Sequence, residues 1–532
     1  MAETKREIER KFEFTHADAD RGRDPGSPDR SGRSGRSGRR AARADHPPVP
    51  DLTGTAGVET VSPQGTVDLD AVYWDTPDQR LAADGLTLRR RTGGADAGWH
   101  LKLPVSPDVR DEVRAPLSDT VPDRLAELVR SRVRDGRLEP QVRLRSSREI
   151  SHLLDADGAV LAELSTDTVR ARRGKAKATW TEVEVELADG VDPDLLDAVE
   201  QRFHEEGLRV SEAPSKLARA LTETGGAPPT RSEAGPDEDT AGARVLAYLR
   251  EQRDTLVAQD PAVRRDLPDS VHQMRVAMRR MRSAFKTYRK VLDREATDPL
   301  GEELRRLAAE LGVARDQEVM AERLLAHLDE LPDTLRLGPV RGRLRVWDTT
   351  RGHAARQKAL AALDSDRYLA LLDALDALLA DPPLRKAAGR PAEGVLPQAV
   401  THDFERLAGR VEAALDLTPG HERDLALHAA RKAAKRARYA ADAAVPALGK
   451  PAARLSKAAK KVQTLLGDHQ DGVVAREVLR EIAVQASLTG ESSFTWGLLY
   501  AREEALAERS EQRLPEVWGK AAKVRARTDL GG

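Results

Sequence analysis

The chain has 532 residues, too many for one hydrophobic core, and domains of about 150 residues each would divide it into several compact units. Its 87 Lys and Arg stand against 88 Asp and Glu, a net charge of −1, which excludes a globally basic coat and leaves anion affinity to local segregation of charge. There is no cysteine, so disulfides, thiolate metal sites and cysteine nucleophiles are excluded too.

The segment Met1 to Glu7 has no apolar core of the kind a signal peptide needs, and no run approaches the roughly 20 apolar residues of a membrane span. A cytoplasmic protein without membrane contact is expected. From there to residue 222, short segments alternate with period two between Gly, Pro and Asp turns, the pattern of antiparallel strands. Residues 21–45 interrupt it with a Gly-, Ser- and Arg-rich stretch in which Ser-Gly-Arg occurs three times in succession, and they are expected to form a disordered insertion.

Many of the strands carry charge on one face. Glu7, Glu9 and Lys11 share a side; so do Arg89 and Arg91, His100 and Lys102, Arg110, Glu112 and Arg114, Arg143 and Arg145, and Glu182, Glu184 and Glu186. Like charges at alternate positions repel, so single-sign faces point to a ligand that neutralises them. In a sheet curled into a barrel these faces could line the interior. Carboxylates would hold hard divalent cations there, and guanidinium groups would take phosphate oxygens.

The same residues resemble a known family. Glu7-x-Glu9-x-Lys11 is similar to the defining strand of the CYTH domain, the triphosphate tunnel metalloenzymes. The resemblance continues in order through Tyr73-Trp74-Asp75-Thr76, Leu88-Arg89-Arg90-Arg91, Leu101-Lys102, Glu112-Val113-Arg114, Arg143-Leu144-Arg145, Glu163 with Asp167, Glu182 to Glu186, and Ser215 to Leu221. It implies an eight-stranded antiparallel tunnel that binds triphosphates with Mg²⁺ or Mn²⁺. It also implies Glu7, Glu9, Glu182, Glu184 and Glu186 as metal ligands, and Glu7, Glu9, Lys11 and Lys102 as the catalytic set. Arg89, Arg91, Arg114, Arg143, Arg145, Lys216 and Arg219 are implied as substrate ligands.

A linker is expected over 223–242, where Gly225, Gly226, Pro228 and Pro229 precede Asp237-Glu238-Asp239. Residues 243–515 then turn Ala-, Leu-, Arg- and Glu-rich with helical spacing, which predicts a helical bundle. A break around Asp381-Pro382-Pro383 divides it into halves of about 243–381 and 398–515, with a tail over 516–532. Each half holds one copy of a basic stripe: His272, Arg275, Arg279 and Arg282 in the first, His428, Arg431, Lys435 and Arg438 in the second. Offsets of 0, 3, 7 and 10 fall on one helix face. Leu311-Gly312-x-x-x-Asp316 and Leu466-Gly467-x-x-x-Asp471 repeat at nearly the same separation, which predicts a duplicated unit with pseudo-twofold symmetry. Val445 to Gly467 is free of acids and adds Lys457 and Lys461 to the cations.

This half resembles the CHAD domain, the conserved-histidine α-helical domain, through the two histidine stripes, Leu311-Gly312-x-x-Arg315-Asp316 and Leu465 to Asp471. The resemblance implies two pseudo-symmetric helical bundles and a basic groove for inorganic polyphosphate, with access to polyphosphate granules. Nucleic acid also offers a line of phosphates, but six each of Trp, Tyr and Phe supply few stacking platforms, so polyphosphate is preferred. The expected protein is α+β and multidomain: a metal-dependent triphosphatase tunnel joined to a polyphosphate-binding helical domain. A non-catalytic polyphosphate-binding protein and an adenylate cyclase are the alternatives.

Overall fold

A computed structural model describes residues 3–15, 48–226 and 239–530. They form two compact units, one up to Glu233 and one from Ala234. The insertion expected at 21–45 lies outside the described residues, as does most of the expected linker.

The first unit is built on nine antiparallel strands: β1 (Glu3–Phe14), β2 (Thr60–Asp75), β3 (Thr87–Thr92), β4 (Gly98–Ser106), β5 (Val109–Ala115), β6 (Glu139–Leu154), β7 (Val160–Arg173), β8 (Ala176–Leu187) and β9 (Leu208–Val210). Their order is β5-β4-β3-β2-β6-β7-β8-β1-β9, and β1 also pairs with β5, so β1 to β8 close into a ring. Closure removes the exposed edges an open sheet would carry. Because side chains alternate across a strand, each strand sends one set outward and one set into the lumen. Outward, Trp99, Leu101 and Val113 pack beneath α2 (Asp123–Val133), which follows the short α1 (Arg80–Ala83). Phe12, Leu164, Val183 and Val185 pack beneath α3 (Asp194–Glu205), with Phe12 edge-on to Phe203 at 4.8 Å between ring centroids. At one end of the ring the inward set turns apolar. Tyr73, Val142, Leu144, Val169 and Trp180 meet Leu217, Ala220 and Leu221 of α4 (Lys216–Glu223), whose start is capped by the Ser215 hydroxyl accepting from the Ala218 amide.

The second unit is helical: α5 (Ala241–Arg264), α6 (Ser270–Thr287), α7 (Arg294–Asp329), α8 (Val340–Leu363), α9 (Asp366–Ala380), α10 (Ala392–Leu415), α11 (His421–Leu448), α12 (Lys450–Leu488) and α13 (Phe494–Arg527). The histidine stripes lie on α6 and α11, and the Leu-Gly-x-x-x-Asp segments on α7 and α12. Buried Ala430, Ala434, Ala437, Ala440 and Ala441 make α11 slim on its inner face. The two stripe helices therefore approach closely, and the Tyr288 hydroxyl donates to the Ala440 carbonyl at 2.8 Å. Both copies contribute to one large core, while the far ends of α7, α8, α12 and α13 share a second around Leu324, Trp347, Leu479 and Trp496. The expected tail from 516 instead continues α13 to Arg527 and buries Trp518 and Ala521 in the large core, because its apolar residues keep helical spacing. Among the described residues no helix is long and apolar enough to cross a membrane.

Candidate active site and anion groove

The ring encloses a cavity of 320 Å³ whose lining is mostly charged. One wall is carboxylate: Glu7 and Glu9 from β1, Glu184 and Glu186 from β8, and Glu163 from β7. Facing side chains are cationic: Arg89 and Arg91 from β3, Lys102 from β4, Arg110 and Arg114 from β5, and Arg148 from β6.

The charges interlock. Glu9 is nearly fully buried and receives Arg110 at 3.0 Å, Lys11 at 3.3 Å and Lys102 at 3.5 Å. Burial alone would push its carboxyl up, but Lys102, Lys11 and Arg110 outweigh that and hold it below its ordinary value. Glu7 differs. Lys102 lies 2.7 Å away, yet burial, reinforced by Glu112 and Glu186, pushes Glu7 up to about 7. Arg114 Nη2 also lies 3.7 Å from the Glu7 Oε1, so the rise follows mainly from burial. Glu112 takes Arg114 at 2.5 Å and the His100 Nδ1 at 2.9 Å. Arg148 bridges Asp167 and Glu184, each at 2.7 Å.

Glu7, Glu9 and Glu186 offer oxygen alone, the donor type a hard divalent cation takes, and a cation would relieve the raised Glu7 carboxyl, although Glu186 is paired with Lys5 at 2.5 Å and the three do not form a convergent cluster. Among the described residues, the acidic cluster in the ring that does converge is Asp167, Glu182 and Glu184, with oxygens within 4.8 Å of one another. The Lys216 ammonium stands among them at 3.0, 2.6 and 2.7 Å and supplies the positive charge itself.

In the helical unit, Arg279, Arg282 and Lys286 of α6, Arg305 of α7, Arg406 and Arg410 of α10, and Lys432, Lys435 and Arg436 of α11 line a groove of 600 Å³ with no acidic residue in its lining. Burial and the neighbouring Arg431 and Arg279 push the Lys435 ammonium down to about 8. Arg275 and Arg431 have a different task. Arg275 donates to Asp316 at 2.7 Å and to the Gly312 carbonyl at 3.3 Å, and Arg431 reaches Asp471 at 3.3 Å. The Leu-Gly-x-x-x-Asp segment is thus a clamp: glycine lets the guanidinium lie on the helix and the aspartate fixes it. A Cβ at Gly312 would stand 2.8 Å from Arg275 Nη2, and one at Gly467 3.4 Å from Arg431 Nη2.

A CYTH domain model matches residues 52–221 and a CHAD domain model matches 247–480. The chain carries a CYTH domain and a CHAD domain. It belongs to one family with uncharacterized proteins from two strains of Mycobacterium tuberculosis, each 41% identical over 89% of this chain and 94% of the relative. Among solved structures, PptA from Streptomyces chartreusis is similar at 23% identity, covering 53% of this chain and 99% of that one, with a TM-score of 0.45. A putative adenylyl cyclase from Hippeastrum, described as having a dominant triphosphatase activity, is similar at 17% identity, covering 42% of this chain and 99% of that one, with a TM-score of 0.22.

The CYTH match starts after β1, yet the ring brings Glu7, Glu9 and Lys11 into the same lumen as Lys102, Arg89, Arg91, Arg114, Glu184, Glu186 and Lys216. Four expected site residues lie elsewhere. Arg143 and Arg145 point out of the CYTH ring, where both pair with Asp70 at 2.5 and 3.1 Å. On β6 the inward set is Val142, Leu144 and Arg148, because the stretch nearest α4 must be apolar inside. Arg219 pairs with Glu13 and Glu223 and lies over the Trp180 ring instead of lining the lumen. Glu182 accepts from Trp180 Nε1 at 2.6 Å and forms an ion pair with Lys216, outside the lining. Arg148 and Lys5 were not foreseen as lumen residues, and Arg110, though on the expected inward face of its strand, was not among the expected ligands. The signal for Arg148 was its odd spacing from Arg145, which puts it on the opposite strand face.

In the CHAD domain, Arg279, Arg282 and Lys435 line the groove as the stripes predict. His272 instead lines a separate hollow beside Asp269 and Arg315, and burial pushes both it and His428 down. Arg438 turns toward Asp442 and Tyr439, while Lys457 and Lys461 are exposed on α12. Lys286 extends the first stripe along α6, and Arg305, Arg406 and Arg410 complete the groove from α7 and α10, which the stripes do not include.

Proposed function

We propose that the CYTH domain binds a triphosphate in its lumen and hydrolyses it with Mg²⁺ or Mn²⁺, while the CHAD domain holds inorganic polyphosphate in its basic groove. The observation that carries this is the composition of the lumen: guanidinium groups facing a carboxylate wall inside one small cavity. Arg89 and Arg91 each keep a buried Nε without a hydrogen-bond acceptor, as a site for anionic oxygens would. Glu7, Glu9 and Glu186 would hold the divalent cation, which supplies charge neutralisation on the transferred phosphoryl group. Arg89, Arg91, Arg114 and Arg148 orient the phosphate oxygens. Lys102 and Lys11 keep Glu9 ionised and in place. The apolar plug under α4 keeps bulk water from that end of the lumen.

The test is phosphate release from triphosphate, longer polyphosphate, ATP and thiamine triphosphate, with each metal. Glu9→Gln should lower release by about a hundredfold or more, on the scale of removing a principal electrostatic group from such a site. Undiminished release would overturn the site. Cyclic AMP from ATP would convert the reading to a cyclase, and tight polyphosphate binding without any turnover would convert it to a binding protein.

A further inference from the structure

The turn between β3 and β4 reaches into the lumen through Gly94, Ala95 and Asp96. Asp96 Oδ2 pairs with the Arg91 guanidinium and lies 3.8 Å from Arg114 Nη2. Arg91 is 6% exposed, with Arg89 and Arg148 as cationic neighbours, and among the described residues Asp96 is the carboxylate in ion-pair range of it. The turn backbone is firmly held. Gly93 has φ +85°, and a Cβ there would stand 2.2 Å from the Asp68 carbonyl, so only glycine fits. On the other side, His100 Nε2 lies 2.9 Å from the Asp96 carbonyl, which can only accept. What can move is the Asp96 side chain, which is about one third exposed.

We infer that Asp96 is an internal competitor for the lumen's anion, a carboxylate that sets an affinity threshold because any phosphate using Arg91 and Arg114 must displace it. This rests on the lumen being an anion site. The consequence is a threshold. Displacing Asp96 weakens every such ligand by a similar factor, so a single phosphate, with few other contacts, is not retained. A triphosphate, long enough to reach Arg89 and Arg148 as well, still binds. The same carboxylate returns to Arg91 when the ligand shortens, which favours departure of orthophosphate.

The experiment is calorimetric binding of orthophosphate and of tripolyphosphate to the full chain, without metal, for wild type and Asp96→Asn, each also in an Arg91→Gln background. Asp96→Asn should tighten both ligands by about tenfold with Arg91 present and by less than twofold with Arg91→Gln. Equal tightening in both backgrounds would mean a general field effect and overturn the competitor. So would wild-type binding with no gain in Asp96→Asn, or a loss of affinity accompanied by a lowered Tm, the mark of a structural role. Failure of tripolyphosphate to bind either form would sink the lumen reading and the competitor together.

Discussion

The CYTH lumen and the CHAD groove handle charge in opposite ways. In the CYTH lumen both signs are buried, and almost every charged group has a partner within about 3 Å, as Lys216 among its three carboxylates shows. In the CHAD groove nine cations line an open surface whose lining holds no acid, although Arg436 and Arg305 are held by Asp403 and Glu302 beside it. The difference follows from burial. A charge inside a narrow ring loses its hydration, and only close opposite charges compensate. A half-exposed groove keeps water and counterions, which spread the repulsion and leave when a polyanion arrives. Under the proposed function, the lumen is preorganised for one compact ligand, and the groove for a flexible, repeating one.

The comparison can be broken most sharply within the lumen. Arg148→Ala should lower phosphate release by about tenfold or more, since it removes an inward guanidinium and leaves Asp167 and Glu184 partly uncompensated. Arg143→Ala and Arg145→Ala, outside the ring, should change release by less than about twofold, since exposed ion pairs contribute little. Equal losses at all three would show that the ring's interior is misassigned. On the groove side, the double reversal Arg279→Glu with Lys435→Glu should weaken polyphosphate binding by at least about tenfold and flatten its salt dependence, with phosphate release kept. A parallel loss of release would mean that the two sites are not separable.

A subtler distinction is in pH. Lys435 is cationic below about 8 and neutral above it in the free protein. A bound polyanion favours the cation, so binding at pH 9 should take up a proton and be weaker than at pH 7. Calorimetry in buffers of different ionisation enthalpy reads this directly, and Lys435→Gln should remove it. The smallest effect is in the clamps. Gly312→Ala makes the flexible Arg275 guanidinium shift, a cost opposed by the roughly 1 kcal/mol that Ala gains over Gly inside a helix, and should change urea unfolding by less than about 1 kcal/mol, whereas Gly467→Ala, with more room at Arg431, should be neutral or stabilising.

Much of this was legible in the sequence for a simple reason: where a face has one job along its whole length, periodicity reports it. The β1, β3 and β5 alternations keep one role from end to end, so their inward residues could be read off directly. β6 changes role midway. Near α4 its inward positions are apolar Val142 and Leu144, further along Arg148, and no count of alternate arginines reveals where the plug ends. Glu182 lies beyond the lumen lining for the same reason, since its strand runs past the lumen into the plugged end, though it stays within the Asp167–Glu182–Glu184 cluster. The duplicated stripes and the Leu-Gly-x-x-x-Asp segments were visible as repeats, but not that Arg275 and Arg431 serve the clamp. Arg305, Arg406 and Arg410 gave no signal at all. Each sits among acids in its own helix, and only the packing of α7 and α10 beside the stripe helices turns them to one groove.

The closing of the ring also has a cost in time. β1 supplies Glu7 and Glu9, yet it is paired with β5 on one side and β8 on the other, both far along the chain. It leaves the ribosome before either partner exists, and two long loops must be closed before its charged face is sheltered. A strand that waits exposed is at risk of pairing with the wrong edge. Alternating glutamate and lysine lowers that risk, because such a face sticks poorly to apolar chains. The residues that define the site are thus also the ones that keep its most patient strand soluble until assembly is complete.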